Sequence, residues 1–561
     1  MKFSAPYFLL LVGLAFTSCR TESQVQTIKD IPILAPTTDI KLVVGITVDQ
    51  MRYDYLTRYE NDYVEGGLKL LMEKGVVCHN HHYSYAPTFT GPGHASIYTG
   101  TTPEIHGIIS NNWYDHMIDS VVYCAGDGSE NGVGTSNAGG KMSPRRMTTT
   151  SMCDELKLFS NHRSKTIGVS MKDRGAILPA GHTANAAYWY IGGEEGNFVT
   201  STYYMENLPE WVNEFNNRGL SQQYLEQGWD RILDESAYDE SAPDNNPYEG
   251  PFAGQTRPTF PYNLQELADT NGTYNLIKAT PWGNTITFDF AKAAVIGEDL
   301  GKDEHTDFLA VSFSSTDYVG HQFGPHSQEA QDTYLRLDRD LADFISFLNN
   351  SVGEDNYLVF LTADHGAVHV PSYLQSKKVP ADYWNPGNMV EDVKAMLNER
   401  WGEANWIINY SNDQFFIDKN LIQEKSADVE AMEDAIASMV LQYEGVQATY
   451  TRHDLVKPFR SEGLATQAAH GFSPTRSGNV VVFIKPGWLR YGRTGTSHGS
   501  PYAYDSHVPF IVYTNASEGK KIFNRTEIRD IAPTICTILG IQMPNGTTGS
   551  AIPEVTSEFR K

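Results

Sequence analysis

"KLVVGITVD", residues 41–49, is the stretch on which the reading of the whole chain turns. Leu42, Val43, Val44, Ile46 and Val48 form an apolar run without polar alternation, and the run closes on Asp49. Such a run suits a strand buried on both faces, the habit of parallel sheets in α/β proteins. Three more segments share the build: "TIGVSMKDR" (166–174) reaches Lys172 and Arg174, "FLAVSFSSTD" (308–317) reaches Asp317, and "YLVFLTADH" (357–365) reaches Asp364 and His365. Open parallel sheets bind ligands beyond the carboxyl ends of their strands, so the four runs send acids and bases to one edge. Between the last two lies "SQEAQDTYLRLDRDLADFISFLNN" (327–350), with Leu335, Leu337, Leu341, Phe344 and Phe347 at roughly helical spacing. The alternation predicts an α/β fold: a mostly parallel central sheet flanked by helices.

Two segments interrupt it. Residues at about 185–290 are rich in Trp, Tyr, Asn, Pro and Gly, and residues at about 370–480 carry amphipathic stretches near 388–400 and 427–443. Both read as insertions that cap the functional edge of one catalytic domain spanning 41–561. A chain of 561 residues that is 40% hydrophobic and 20% charged is globular. Its formal net charge of -25 excludes a general nucleic-acid binder. It also means that any anionic substrate requires dense local positive charge, which metal ions supply best.

The first residues, "MKFSAPYFLLLVGLAFTSC", place a lysine before an apolar run from Tyr7 to Phe16 and small residues before Cys19. They read as a signal peptide over 1–18, too short to span a bilayer. "FTSC" resembles a bacterial lipobox with Phe16 where leucine is usual, so Cys19 is expected to be lipidated and residues 19–40 to form a tether. The expected location is outside the cytoplasm, in the periplasm or attached to the outer membrane, and membrane contact is expected only through that anchor. A monomer is expected. The remaining cysteines, Cys78, Cys124, Cys153 and Cys536, lack CxxC spacing, which excludes a zinc ribbon or redox pair; any disulfide pairing is not readable.

Asp317 and His321 in "TDYVGHQFGP" (316–325) are four apart, on one face of a helical turn. Adjacent Asp364 and His365 in "ADHG" (363–366), Asp49, and His498 in "TGTSHGS" (494–500) complete six oxygen and nitrogen donors. Six donors serve two zinc ions with three protein ligands each, the two-metal arrangement for in-line displacement at phosphorus. The denser "CHNHH" (78–82) lies at no strand end and reads as a structural or surface cluster. Thr90, in "APTFTGPGHASIYT" (86–99), stands between loop signals and a helical segment, as either a helix cap or a nucleophile.

The order Asp49, Thr90, Asn111, "KDR" (172–174), "TDYVGH", "ADHG" and His498 resembles the alkaline phosphatase superfamily. Within it the chain is similar to the single-chain phosphate-irrepressible alkaline phosphatases exported by bacteria. "TVDQMRYDYL", "NNWYD", "SMKDR", "ILPAGH" and "YDSHVPF" carry the likeness from about residue 40 to near the C-terminus. The resemblance implies one zinc at Asp317, His321 and His498, and a second at Asp49, Asp364 and His365, with Thr90 as a nucleophile against it. It implies that Asn111, or Asn112 one register away, hydrogen-bonds a phosphoryl oxygen. Lys172 and Arg174, expected on one side of a strand end, would contact the two oxygens that a monoester leaves charged. The chemistry agrees, because coordination favours an alkoxide and a helix N-terminus after Thr90 offers free N–H groups to an anion. Sulfatases need a Cys or Ser in a C/S-x-P-x-R context, which "TFTGPGH" lacks. Nucleotide pyrophosphatase/phosphodiesterases share the threonine and both zincs, and only the Lys172/Arg174 pair speaks against them. The expected function is zinc-dependent hydrolysis of phosphate monoesters through a phosphothreonine intermediate. The alternatives are diester hydrolysis and a surface lipoprotein that merely binds a phosphorylated ligand.

Overall fold

The computed structural model describes residues 39–457 and 463–559, together with residue 1; the expected signal segment, Cys19 and most of the tether lie outside them. Five parallel strands form the centre of the molecule: β1 (Leu42–Val48), β2 (Thr166–Ser170), β3 (Ala186–Ile191), β4 (Asp307–Phe313) and β5 (Tyr357–Thr362). Their order across the sheet is β5-β1-β4-β2-β3. Every residue of β1, β2, β4 and β5 is buried, which is why their sequences show no alternation. The sheet has ten strands and is mixed at both margins, where Phe510–Tyr513 runs antiparallel to β5 and Asn197–Ser201 antiparallel to β3.

Register aligns the chemistry. Leu42 of β1 stands level with Asp307 of β4 and with Tyr357 of β5, so the three strands end together. Asp49, the turn before Asp317, and Asp364 therefore emerge at the same edge. Helix α1 (Thr90–Thr99) crosses this sheet closely: a Cβ on Gly45 would lie 2.5 Å from the Tyr98 hydroxyl and 2.6 Å from the Phe360 ring. Helix α2 (Asp173–Ala180) follows β2, and α3 (Ser315–Phe323) follows β4. Helix α4 (Gln328–Ser351) begins with Ser327, whose side chain accepts the Ala330 N–H, and buries Leu335, Leu337, Leu341 and Phe344.

The boundaries of the insertions differ from the composition-based ones. Residues 186–201, expected to open the first insertion, are β3 and its antiparallel neighbour in the main sheet. Helix Trp282–Gly297, expected to close it, packs on β4 and β2. The aromatic composition that suggested a loop-rich cap at these positions comes from buried sheet residues such as Tyr188, Trp189 and Tyr190. The second insertion has its own four-stranded antiparallel sheet, ordered Ile407–Ser411, Gln414–Ile417, Val480–Ile484, Val446–Thr451. Helices Gly387–Trp401 and Val429–Val440 contribute Met389, Val393, Leu397, Met432, Ile436 and Val440 to its separate core. Cys78, Cys124, Cys153 and Cys536 are buried and unpaired. No helix among the described residues is long and apolar enough to cross a membrane.

The carboxylate with the most bonds between the first insertion and α4 is Asp332, and Glu329 adds one from the Tyr262 hydroxyl. Asp332, fully buried, accepts hydrogen bonds from Trp229 Nε1 at 2.7 Å, the Ile232 N–H at 2.7 Å, the Tyr238 hydroxyl at 2.5 Å and Arg336 Nε at 2.7 Å. Asp332→Ala strands these four donors, and breaking a buried network of this kind costs about 3–5 kcal/mol. Chemical denaturation of the variant should show a loss of that order. A loss below about 1 kcal/mol, the scale of an ordinary surface change, would mean that the insertion is held elsewhere.

Candidate active site

At the carboxyl edge of the sheet five of the six expected donors form two overlapping groups. Asp317, His321 and His498 form one, and Asp49, Asp317 and His365 the other; within each group the ligand atoms all lie within 4.8 Å of one another. His321 Nε2 is 3.1 Å and His498 Nε2 3.6 Å from Asp317 Oδ1. His365 Nε2 is 3.4 Å from Asp49 Oδ1 and 3.5 Å from Asp364 Oδ2. The division into two separate threes expected from the sequence is thus less sharp, because Asp317 belongs to both groups and Asp364 borders the second.

The three imidazoles are held in one tautomer. Nδ1 of His321 donates to the Thr496 carbonyl at 2.7 Å, that of His365 to the Gly366 carbonyl at 2.9 Å, and that of His498 to the Thr88 carbonyl at 2.8 Å. Each Nε2 therefore faces the carboxylates, the arrangement by which outer partners orient metal ligands. Burial pushes His365 down to about 3 and His498 well below its ordinary value, which keeps both rings neutral.

Charge in the site is unbalanced. Asp49, Asp317 and Asp364 are fully buried, and one ammonium, Lys172 Nζ, reaches Asp49 Oδ2 at 2.7 Å and also Asp317 Oδ2. Burial alone would raise the Asp317 carboxyl, but the charges of His321 and Lys172 outweigh it and hold it well below the usual range. Lys172 acts on Asp364 as well, but burial and the charge of Asp49 outweigh it and push that carboxyl well above the usual range. Four buried atoms around this corner have no hydrogen-bond partner: Asp49 Oδ1, Asp364 Oδ2, His365 Nε2 and Thr90 Oγ1. Unpaired buried oxygens and a neutral imidazole nitrogen are what a divalent cation satisfies, and the imidazole and carboxylate mixture suits zinc.

Thr90 opens α1 and is buried; its N-cap is Phe89, without a side-chain cap, so Thr90 is not itself the cap. Gly93 lets the helix approach, since a Cβ there would sit 2.4 Å from the Asp364 carbonyl oxygen. The expected anion site at this N-terminus is mostly taken up. Gly91 donates its N–H to Asn111 Oδ1 at 2.7 Å, Pro92 has none, and Gly93 donates to the Phe89 carbonyl at 2.9 Å. Asn111 thereby fixes its amide beside Thr90, with Nδ2 left to donate, whereas Asn112 is exposed at the start of the hairpin strand Asn112–Asp115.

Lys172 and Arg174 do not share a strand face. Strand β2 ends at Ser170, Lys172 caps α2 and Arg174 lies in its first turn, where residues two apart diverge. Lys172 points to the carboxylates, and Arg174 donates from Nη1 to the Tyr123 hydroxyl at 3.0 Å, while its buried Nε has no partner. Tyr123 in turn donates to Asp173.

Sequence reasoning missed Gln50, His94 and Tyr123. Gln50, at φ +65°, donates from Nε2 to Asp317 Oδ1 at 2.6 Å and from its backbone to Asp364 Oδ1 at 3.2 Å, linking acids of different strands. A non-glycine residue in that backbone region is strained and persists only where its surroundings fix it. His94 stands 3.4 Å from Asp364 Oδ2 and bonds Ser312 Oγ at 2.8 Å. No spacing rule points to these residues, because the site partners named here lie on elements distant in sequence. "CHNHH" stays outside the site: His81 bonds Thr526 Oγ1 and His82 bonds Asn80 Oδ1, each at 2.8 Å.

Residues 43–506 match the family described as type I phosphodiesterase / nucleotide pyrophosphatase, and the chain belongs to it. Among its relatives is alkaline phosphatase PafA of Elizabethkingia meningoseptica, 42% identical over 521 residues, covering 92% of this chain and 94% of that one. Alkaline phosphatase PhoV of Synechococcus elongatus is 41% identical over 556 residues, covering 98% and 99%. A crystal structure of wild-type PafA superposes with a TM-score of 0.88 at 40% identity, over 93% of this chain and 99% of that one.

Proposed function

We propose that the protein is an alkaline phosphatase, hydrolysing phosphate monoesters by way of a phosphothreonine at Thr90 and requiring two zinc ions. The observation that carries the reading is the set of four partnerless buried atoms, Thr90 Oγ1 among three ligand atoms of Asp49, Asp364 and His365. Asp317, His321 and His498 hold the first ion and Asp49, Asp364 and His365 the second. When bound, the two ions supply concentrated positive charge for the attacking and leaving oxygens. Thr90 attacks phosphorus, the ester oxygen leaves as the alcohol, and water then cleaves the phosphothreonine to inorganic phosphate. Asn111 Nδ2 and Arg174 bind the non-bridging oxygens, and Lys172 adds charge from the side of Asp49 and Asp317. The naming of PafA and PhoV as alkaline phosphatases supports this activity.

Thr90→Ala should keep its metal and its fold but lose several orders of magnitude in rate, and acid quenching of wild type should trap phosphate on Thr90. Phosphate trapped on any other residue refutes the assignment. Chelation should abolish wild-type turnover, and zinc rather than magnesium should restore it, since magnesium prefers all-oxygen sites.

The family also contains diester hydrolases by its description, and Arg174 separates the two activities. Lys172 touches two metal-site acids, so its removal weakens both reactions. Arg174 reaches none of them and should matter only where a second charged oxygen exists. Arg174→Ala should lower monoester kcat/KM about ten- to a hundredfold, the scale of one charge-assisted hydrogen bond, and diester kcat/KM much less. Equal losses, or faster diester cleavage by wild type, would favour the phosphodiesterase reading.

We further infer export and anchoring through lipidated Cys19, with the protein acting as a monomer outside the cytoplasm; the apolar run before "FTSC" supports this. Membrane fractions should hold the wild type and lose Cys19→Ser. A soluble wild type would end the anchor reading.

A further inference from the structure

One side chain of the second insertion bonds both neighbours of Asn111. Strands Ile407–Ser411 and Gln414–Ile417 pair with Ser411 opposite Gln414, leaving Asn412 and Asp413 as a two-residue turn at φ +51° and +52°. Asparagine suits such a turn, whose residues both need positive φ. A turn residue needs no distant partner, yet both ends of the Asn412 amide are engaged. Its Oδ1 accepts from Ser110 Oγ at 3.1 Å, and its Nδ2 donates to the Asn112 carbonyl at 2.7 Å. These are the two residues that flank Asn111. The intervening residue is fixed in two more places: its carbonyl accepts the Cys124 N–H at 2.9 Å, and its Oδ1 accepts the Gly91 N–H at 2.7 Å.

We infer that Asn412 is a positioning residue, by which the insertion clamps both sides of Asn111 and aims its free Nδ2 at the phosphoryl group. The inference rests on the proposed role of Asn111. Without the clamp the segment 110–112 keeps buried Trp113 beyond it but loses both bonds that tie the two neighbours of Asn111 to the insertion, and small misplacements of a substrate-binding donor are costly in rate.

A double-mutant cycle tests it with a chromogenic phosphate monoester. Asn412→Gly tolerates the positive φ while removing the amide. It should lower kcat/KM about tenfold in the wild-type background and less than about twofold in Asn111→Ala, because residues that act through one another are not additive. Melting temperature reports whether the variant folds; if it does not, Ser110→Ala, which removes one of the two bonds, carries the same cycle. A kcat/KM within about twofold of wild type, or an equal loss in both backgrounds, overturns the inference. A wild type inactive on monoesters, or a fully active Asn111→Ala, refutes instead the underlying role of Asn111 and with it the clamp.

Discussion

Three carboxylates buried together against a single ammonium are the constraint around which the molecule is organised. Asp49, Asp317 and Asp364 are withdrawn from water, and Lys172 is the one lysine or arginine bonded to any of them among the described residues. Burial of uncompensated charge is too costly to persist, so these acids either take up protons or receive cations. The rise of the Asp364 carboxyl and the fall of that of Asp317 record how unevenly one lysine serves three acids. Imidazoles oriented through Nδ1 by backbone carbonyls add nitrogen donors, and His365 and His498 do so without adding charge. Such a centre is built for divalent metal rather than for stability.

The sheet makes that concentration of charge possible. Level strand ends deliver the acids from β1, β4 and β5 to one place, and the fully buried strands behind them supply the stability that the site gives up. Gln50 shows the same exchange on a small scale, since its strained backbone is retained where its side chain joins Asp317 and its N–H meets Asp364. The insertions act differently. The first is fastened to α4 through Asp332, away from the clustered acids and histidines; the second carries its own core and meets the segment Ser110–Asn112 through the Asn412 turn.

The family is described by diester and pyrophosphate hydrolysis while PafA and PhoV are named alkaline phosphatases, so on the proposed reading preference comes from what surrounds the acids and histidines. Arg174 is suited to that part because it is tied to Tyr123 rather than to the acids. Lys172 is less so, since its charge is already committed to Asp49 and Asp317. A positive group shared with metal ligands tunes the whole centre, while one held apart from it can discriminate between substrates.

The sequence by itself determined β1, β2, β4, β5 and α4, and pointed to the acids and histidines that gather at the strand ends. Unbroken apolar runs record burial on both faces, a 3.6-residue period records burial on one, and acids at the ends of such runs have few other uses. The tertiary structure alone decided which acids share a group, that Asp317 stands in both, and that Lys172 and Arg174 part company at the start of α2. It also moved β3 and helix Trp282–Gly297 from the insertion into the sheet, and it brought Gln50, His94, Tyr123 and Asn412 to the site. Asn412 lies 300 residues from the carbonyl it holds. The reason is physical: burial and periodicity are written in neighbouring residues, whereas a hydrogen bond between distant segments depends on the relative placement of whole elements, which no local pattern encodes.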